Sequence, residues 1–337
     1  MSECLKYQKP DIECMCYAIV SHNIDCVTFL MNEYNIKINL YQCAVYKNLE
    51  PFLVYFDQTN DVNQCFVYSA LFEMLSLCEY FLSLGTNINI LMGEFGTALH
   101  IATMYNCKEI AEFLISRGIN INEKKIKGST PLHDAAKSNN KEMAELLISH
   151  GANINEKDDK KRTALHDAAR YNSKEMAELL ISLGLNINEK DRRGNTPLHD
   201  AACENSKVTI EFLLSHGANI KEKNNDGKTA FHLAALNNCK ETVEFLLSHG
   251  ANIREKDNDG KTAFHLAALN NSKETVEFLL SHGANINEKD NDGKTALHFT
   301  VDHNSKETAE FLLSHGININ EKSKYGETAL HYAAKKL

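Results

Sequence analysis

The chain contains no tryptophan and only four prolines in 337 residues. It also lacks any run near the ~18 apolar residues that a membrane span requires. Met1 to Pro10 has neither the basic start nor the apolar core of a secretory signal. The expectation from these features is a cytoplasmic chain, with the nucleus as the alternative. There is no basic excess. The formal net charge is −9, which argues against a nucleic-acid backbone as the main partner. Residues 1–93 hold ten acids and four bases, a balance of −6, and the remaining residues carry the other −3. No phosphate loop of the G-x-x-x-x-G-K-[ST] type and no nucleophile elbow is present. Ten cysteines occur, seven of them before residue 80: Cys4, Cys14, Cys16, Cys26, Cys43, Cys65 and Cys78. They sit among apolar residues as small buried hydrophobes do, and without a signal peptide reduced thiols are expected. Cys14 and Cys16 could begin a metal site, but no C-x2-C partner or clustered histidine joins them. The expectation is therefore a non-enzymatic protein with no metal, no cofactor and no small-molecule substrate.

What is present is a repeat. Thr-x-Leu/Phe-His begins at Thr97, Thr130, Thr163, Thr196, Thr229, Thr262, Thr295 and Thr328, always 33 residues apart. Gly85, Gly118, Gly151, Gly184, Gly217, Gly250, Gly283 and Gly316 keep the same step. Residues 125–157 read as one unit. A polar turn with Gly128 comes first, then Thr130 as N-cap and Pro131 at the first helical position. Leu132, Ala135 and Ala136 make a short helix whose small side chains let a neighbour approach. Asn139 and Asn140 break the chain, Met143 to Ile148 form a second helix at i, i+3, i+4 spacing, and Gly151 stops it.

The stretches Gly194-Asn195-Thr196-Pro197-Leu198-His199-Asp200-Ala201-Ala202 and Gly260-Lys261-Thr262-Ala263-Phe264-His265-Leu266-Ala267-Ala268 resemble the ankyrin repeat. The resemblance covers residues 92–337, about seven full units plus a partial C-terminal one. It implies an all-α solenoid of stacked helix-turn-helix units with β-turn fingers, and a protein partner bound on the concave face. Departures are few. Lys161 replaces the turn glycine of one unit, Gly96 is displaced by one position, and Asn stands for the usual Asp near repeat ends, as at Asn153 and Asn219. Stability in such arrays comes from neighbouring interfaces, so a break inside should cost more than one near an end.

Residues 1–91 lack the motif yet end their helical stretches with asparagines at Asn39, Asn63 and Asn89. They read as a divergent helical region of three degenerate repeats capping the array. They also resemble the uncharacterised helical domain that precedes ankyrin arrays in some protozoan proteins. Their tyrosines and phenylalanines suit a thick core before a partner-binding face. At the other end, Lys335 and Lys336 suit a helix C-terminus but leave one side of the last full repeat uncovered, and the final Lys-Lys-Leu carries little weight as an address.

The repeat accounts for 13 of the 15 histidines. His100, His133, His166, His199, His232, His265, His298 and His331 follow the motif threonine; the family resemblance implies that they tie helix starts to neighbouring backbone. His150, His216, His249, His282 and His315 precede the helix-ending glycine, where a protonated imidazole would favour the helix C-terminus. His22 and His303 fall outside the pattern. Asp257-Asn258-Asp259-Gly260 and Asp290-Asn291-Asp292-Gly293 look like the start of a calcium loop, but the twelfth position counted from Asp257 is Ala268, so they read as finger tips. Lys141-Glu142 and Lys174-Glu175 read as solvated helix surface.

Candidate binding residues lie four, seven and eight positions after each motif threonine. One stretch is polar and mixed in charge: Asp134, Lys137, Asp167, Arg170, Tyr171, Asp200 and Glu204. The next is apolar: Leu233, Leu236, Leu266, Leu269 and Phe299, with Tyr332 at its margin. Read as exposed, this stretch is an apolar patch suited to a partner. The leading expectation is a scaffold or adaptor for an unidentified protein. The alternative is a substrate-recognition subunit of a larger complex that docks through residues 1–91. A third, a metal or catalytic site in the divergent region, needs bound metal or turnover.

Overall fold

The computed structural model describes residues 9–302 and 305–335. Cys4, His303, Lys336 and Leu337 lie outside the described residues. Helices make up the fold, and among the described residues the only β-pairing is an isolated bridge between Met92 and Gly96. The chain divides into two compact units: residues up to 135 with 142–153, and 136–141 with 154–337. The division runs through the helices Pro131–Lys137 and Lys141–Ser149.

The first unit opens with three helix pairs. They are α1 (Ile12–Val20) with α2 (Ile24–Tyr34), α3 (Leu40–Val45) with α4 (Leu49–Thr59), and α5 (Val62–Ser69) with α6 (Leu75–Ser83). Four helices start on an Asx cap: the side chains of Asp11, Asn23, Asn39 and Asp61 accept backbone N–H groups of the first turn, which satisfies donors the helix itself cannot. α2 and α4 stop at left-handed Asn35 and Asn60. The core is aromatic. Phe52 is fully buried and meets Phe72 and Phe81 edge-on at 4.8 Å and 5.9 Å between centroids. Not every aromatic residue is core, because Tyr17 is 72% exposed. The thiols of Cys43, Cys65 and Cys78 are buried, and burial pushes them up to about 12, 12 and 11. They are inert packing groups.

The second unit repeats one pair. First helices span Ala164–Arg170, Pro197–Cys203, Ala230–Leu236, Ala263–Leu269, Ala296–Asp302 and Ala329–Ala334. Second helices span Lys174–Ser182, Lys207–Ser215, Lys240–Ser248, Lys273–Ser281 and Lys306–Ser314. Each first helix packs on the next first helix, and among the second helices Lys174–Ser182 packs on Lys207–Ser215, Lys240–Ser248 on Lys273–Ser281, and Lys273–Ser281 on Lys306–Ser314. The core follows the motif: Leu198, Ala201 and Ala202, then Phe231, Ala234 and Ala235, then Phe264, Ala267 and Ala268, all at most 1% exposed. Val243, Leu246, Val276 and Leu279 complete it from the second helices.

Polar ladders join the units of the repeat. In the motif box Thr196 N–H donates to His199 Nδ1 (3.1 Å), and His199 Nε2 reaches the Lys228 carbonyl 29 residues on (3.0 Å). His166, His232, His265 and His298 do the same with the carbonyls of Asn195, Glu255, Glu288 and Glu327. Nδ1 accepts while Nε2–H donates, so each ring is a neutral imidazole. Burial agrees, depressing His199 to about 4 and lowering His166, His232, His265 and His298. A second ladder uses the asparagines between helices. Asn172, Asn205, Asn238 and Asn271 sit at positive φ. Their Oδ1 atoms accept from Thr209, Thr242, Thr275 and Thr308 of the next repeat. A third ladder joins the repeat ends through backbone N–H groups, and the asparagine in place of aspartate has a local use, since Asn219 Nδ2 donates to Glu222 Oε1 (3.0 Å) as a carboxylate could not. Asn219 N–H donates to Asn188 Oδ1 (2.9 Å) and Asn318 N–H to Asn287 Oδ1 (3.0 Å).

Candidate protein-binding face

Each finger is a β-turn closed by its own first residue. Asp191 Oδ1 accepts from Arg193 N and Asn195 N, both at 2.8 Å, while Gly194 N donates to the Asp191 carbonyl. Asp257 and Asp290 repeat this geometry, so the calcium-like sequences are turns whose carboxylates hold backbone N–H groups. Among the described residues no three His, Cys, Asp or Glu side chains come together to hold a metal ion.

In the first unit Asp134 is buried and pairs with Lys125 at 2.7 Å. In the second, Asp167 is fully buried; Arg162 lies 3.5 Å from one carboxylate oxygen and Lys137 3.8 Å from the other. These two aspartates correct the expectation of a polar surface at their positions: they are counter-ions beneath the face. Asp200 is half-buried, with Oδ2 fully shielded and without a hydrogen-bond donor. Burial, then the Asp191 carboxylate, raise it to about 7. What the face offers to solvent is Arg170 paired with Glu204 at 2.6 Å, and Tyr171, 56% exposed. With Asn172, Asn205 and Ser206 these three line an open depression of about 450 Å³.

The apolar stretch is also corrected. Leu266 is 2% and Phe299 7% exposed, and Leu233, Leu236, Leu269 and Tyr332 are half-buried. The Phe299 ring packs edge-on against His265 (5.8 Å), and the Tyr332 ring against His298 (5.6 Å). An aromatic residue four positions after the threonine therefore packs on the preceding repeat's box. Leu266 and Phe299 are thus withdrawn from solvent, while Leu233, Leu236, Leu269 and Tyr332 stay partly open to it.

No candidate binding residue named from the sequence lies on the finger tips. Lys160, Lys161, Arg192 and Arg193 are exposed, and their side chains have no ion-pair partner among the described residues. The signal was available, since aligning the fingers at their 33-residue step separates these tips from the later Asn-Asp tips.

The comparisons agree with this geometry. The family model described as ankyrin repeats (3 copies) matches residues 66–158, 154–224, 209–290 and 265–336. A domain of unknown function (DUF3447) matches residues 1–55. Among solved structures, the crystal structure of the human ASB11 ankyrin repeat domain is similar at 27% identity and a TM-score of 0.56, covering 62% of this chain and 93% of that one. Curated proteins provide no match. Ankyrin repeats are in general protein-interaction modules, and no helix among the described residues is long and apolar enough to cross a membrane.

Proposed function

Because the chain belongs to the ankyrin repeat family, we propose that it is a non-enzymatic scaffold or adaptor in the cytoplasm that binds a protein through its first-helix face. One observation carries this reading: the exposed Tyr171 beside the Arg170–Glu204 pair, in a depression lined by both first-helix ends. Tyrosine and arginine are the side chains that most often anchor interfaces, and Asp134 and Asp167 are held beneath that face by ion pairs. The test is affinity capture from cell extract with the full chain and with Tyr171→Ser/Arg170→Ser, after circular dichroism has established equal folding. A protein retained by the parent and lost from the variant supports the reading. An identical partner list for both rejects it.

A second reading, docking of a larger complex through residues 1–91, is favoured by the exposure of Ile12 (60%) and Tyr17 (72%) on α1. An Ile12→Ser/Tyr17→Ser chain that captures every partner of the parent would remove it.

A further inference from the structure

The finger tips of the second unit sit on one hydrogen-bonded rail. At one position of each finger the backbone carbonyl accepts an N–H from the next finger. Lys160 O accepts from Arg192 N (2.7 Å), Arg193 O from Asn225 N (2.9 Å), Asp226 O from Asn258 N (3.0 Å), Asp259 O from Asn291 N (2.8 Å) and Asp292 O from Lys324 N (2.7 Å). Register is thus fixed, and the residues in that register read Lys, Arg, Asp, Asp, Asp. Charge changes sign once along the row.

The two ends of the row differ in a second way. Asp226 and Asp259 are met by lysines of their own fingers, Lys228 at 3.3 Å and Lys261 at 2.8 Å. The lysines at the finger bases are also satisfied: Lys157, Lys190, Lys223, Lys256 and Lys289 each reach a glutamate one repeat on, at 2.5–2.8 Å. Lys160, Lys161, Arg192 and Arg193 have no such partner among the described residues. The nearby acids are largely committed elsewhere. Asp158 holds Arg162 and two backbone N–H groups, and Asp191 Oδ1 holds two more. Asp159 is the one exposed acid on these two tips, which leaves four cations against one carboxylate.

Lys161 also stands where Gly194, Gly227, Gly260 and Gly293 stand in the later fingers, and it adopts their left-handed conformation with φ 61°. A Cβ at Gly194 would lie 2.5 Å from Asn225 Oδ1, and one at Gly227 or Gly260 would collide with Asn258 or Asn291. Those asparagines lean back to donate to Arg192, Asn225 and Asn258 carbonyls. At the first finger the residue in the asparagine register is Arg192. Glycine and asparagine interlock at three fingers; Gly293 faces Lys324 with no asparagine, and only at the Lys161–Arg192 step are both positions cationic. A strained backbone retained under an unpaired charge points to use of that charge.

We propose that Lys160, Lys161, Arg192 and Arg193 form a docking edge for a short acidic segment of a protein partner. This surface is separate from the first-helix face and does not depend on it. Repeats packed helix on helix are spaced by ~8–10 Å, and an extended chain advances ~3.3 Å per residue. Carboxylates about three residues apart therefore meet successive fingers. The segment must be short, because beyond Arg193 it meets Asp226, Asp259 and Asp292. A nucleic-acid strand, charged at every step, is repelled along the same rail.

The test uses the full chain and a fluorescein-labelled peptide of four Glu-Gly-Gly units, followed by fluorescence anisotropy at low ionic strength. The peptide binds the parent, and Lys160→Ser/Arg193→Ser weakens it about tenfold, as expected for loss of charged contacts. A charge-matched control on exposed helix surface, Lys174→Ser/Lys207→Ser, stays within about twofold, as rim charges do. Arg193→Asp, which extends the acidic row, abolishes binding. Lys161→Gly melts at a higher temperature yet binds more weakly. No binding by the parent, equal weakening by the control pair, or a twelve-nucleotide oligothymidylate binding as tightly as the peptide would each overturn the proposal.

Discussion

Two regions build the same helix pairs from different chemistry. Four of the six helices α1 to α6 start with local Asx caps, and their core is filled with phenylalanine. The repeats of the second unit cap with a histidine that also reaches a carbonyl 23–29 residues away, and pack alanines so that a neighbour can approach. A local cap serves one helix. A histidine box serves two repeats at once, so its Nε2 hydrogen bond exists only when the next unit is in place, whereas the Nδ1 bond to its own threonine is local. The difference explains why one region shows a period and the other does not: a contact between repeats constrains the same position in every unit, whereas a local cap can drift.

Acid should separate the two chemistries most strongly. The neutral histidines have folded pKa values below their ordinary 6.5, with His100 and His199 near 4. Between these limits the unfolded chain binds more protons, so stability is full above pH ~6.5 and falls as pH drops toward ~4. His100 and His199 alone each account for up to ~3 kcal/mol of that loss. Asp200, raised to about 7, acts in the opposite direction but is a single group against several. Thermal melts at pH 7, 5 and 4 should show a steep loss of repeat helicity, and a melting temperature independent of pH over that range would refute the neutral-box account.

Core truncation is next in size. Phe231→Ala and Phe52→Ala each remove a fully buried ring and should cost ~3–5 kcal/mol, read from urea midpoints. Near equality is expected despite the different surroundings; a Phe52→Ala loss below ~1 kcal/mol would show that the aromatic core relaxes into the space.

Finger glycine substitutions give a smaller, signed pair. Gly227→Ala meets Asn258 at a left-handed backbone and should lose ~2 kcal/mol, while Lys161→Gly should gain ~1 kcal/mol by relieving the same conformation. If both shift the midpoint in the same direction, the interlock argument fails.

The smallest effect is a local cap. Asp61→Ala removes the hydrogen bond to Gln64 N–H (3.0 Å) and should cost ~1 kcal/mol, measured by the same titration. Loss of several kcal/mol would mean that this cap is not local.

Much of the fold was legible because the repeat is a one-dimensional pattern. Thr, Leu, His, Ala-Ala and Gly recur at 33 residues, and each has a backbone or packing reason to do so. Reading the two aspartates as surface failed at Asp134 and Asp167 because their cations, Lys125 and Arg162, come from fingers. Reading the apolar stretch as fully exposed gave too much surface to Leu266 and Phe299, which are buried, Phe299 edge-on against His265 of the preceding repeat. The unpaired tips were visible in register but not in meaning, since only geometry tells which lysines find a glutamate.

By itself the sequence determined the all-helical repeat, the position of each cap and turn, and the small residues that let repeats stack, because these depend on short-range backbone preferences repeated in phase. Tertiary structure alone decided which charges are neutralised, which leucines see solvent, and where a lysine can occupy a glycine's conformation. Several of those depend on an atom about 30 residues away in the chain, as in Lys157–Glu189 and Arg170–Glu204, brought within ångströms by the stacking of one repeat on the next.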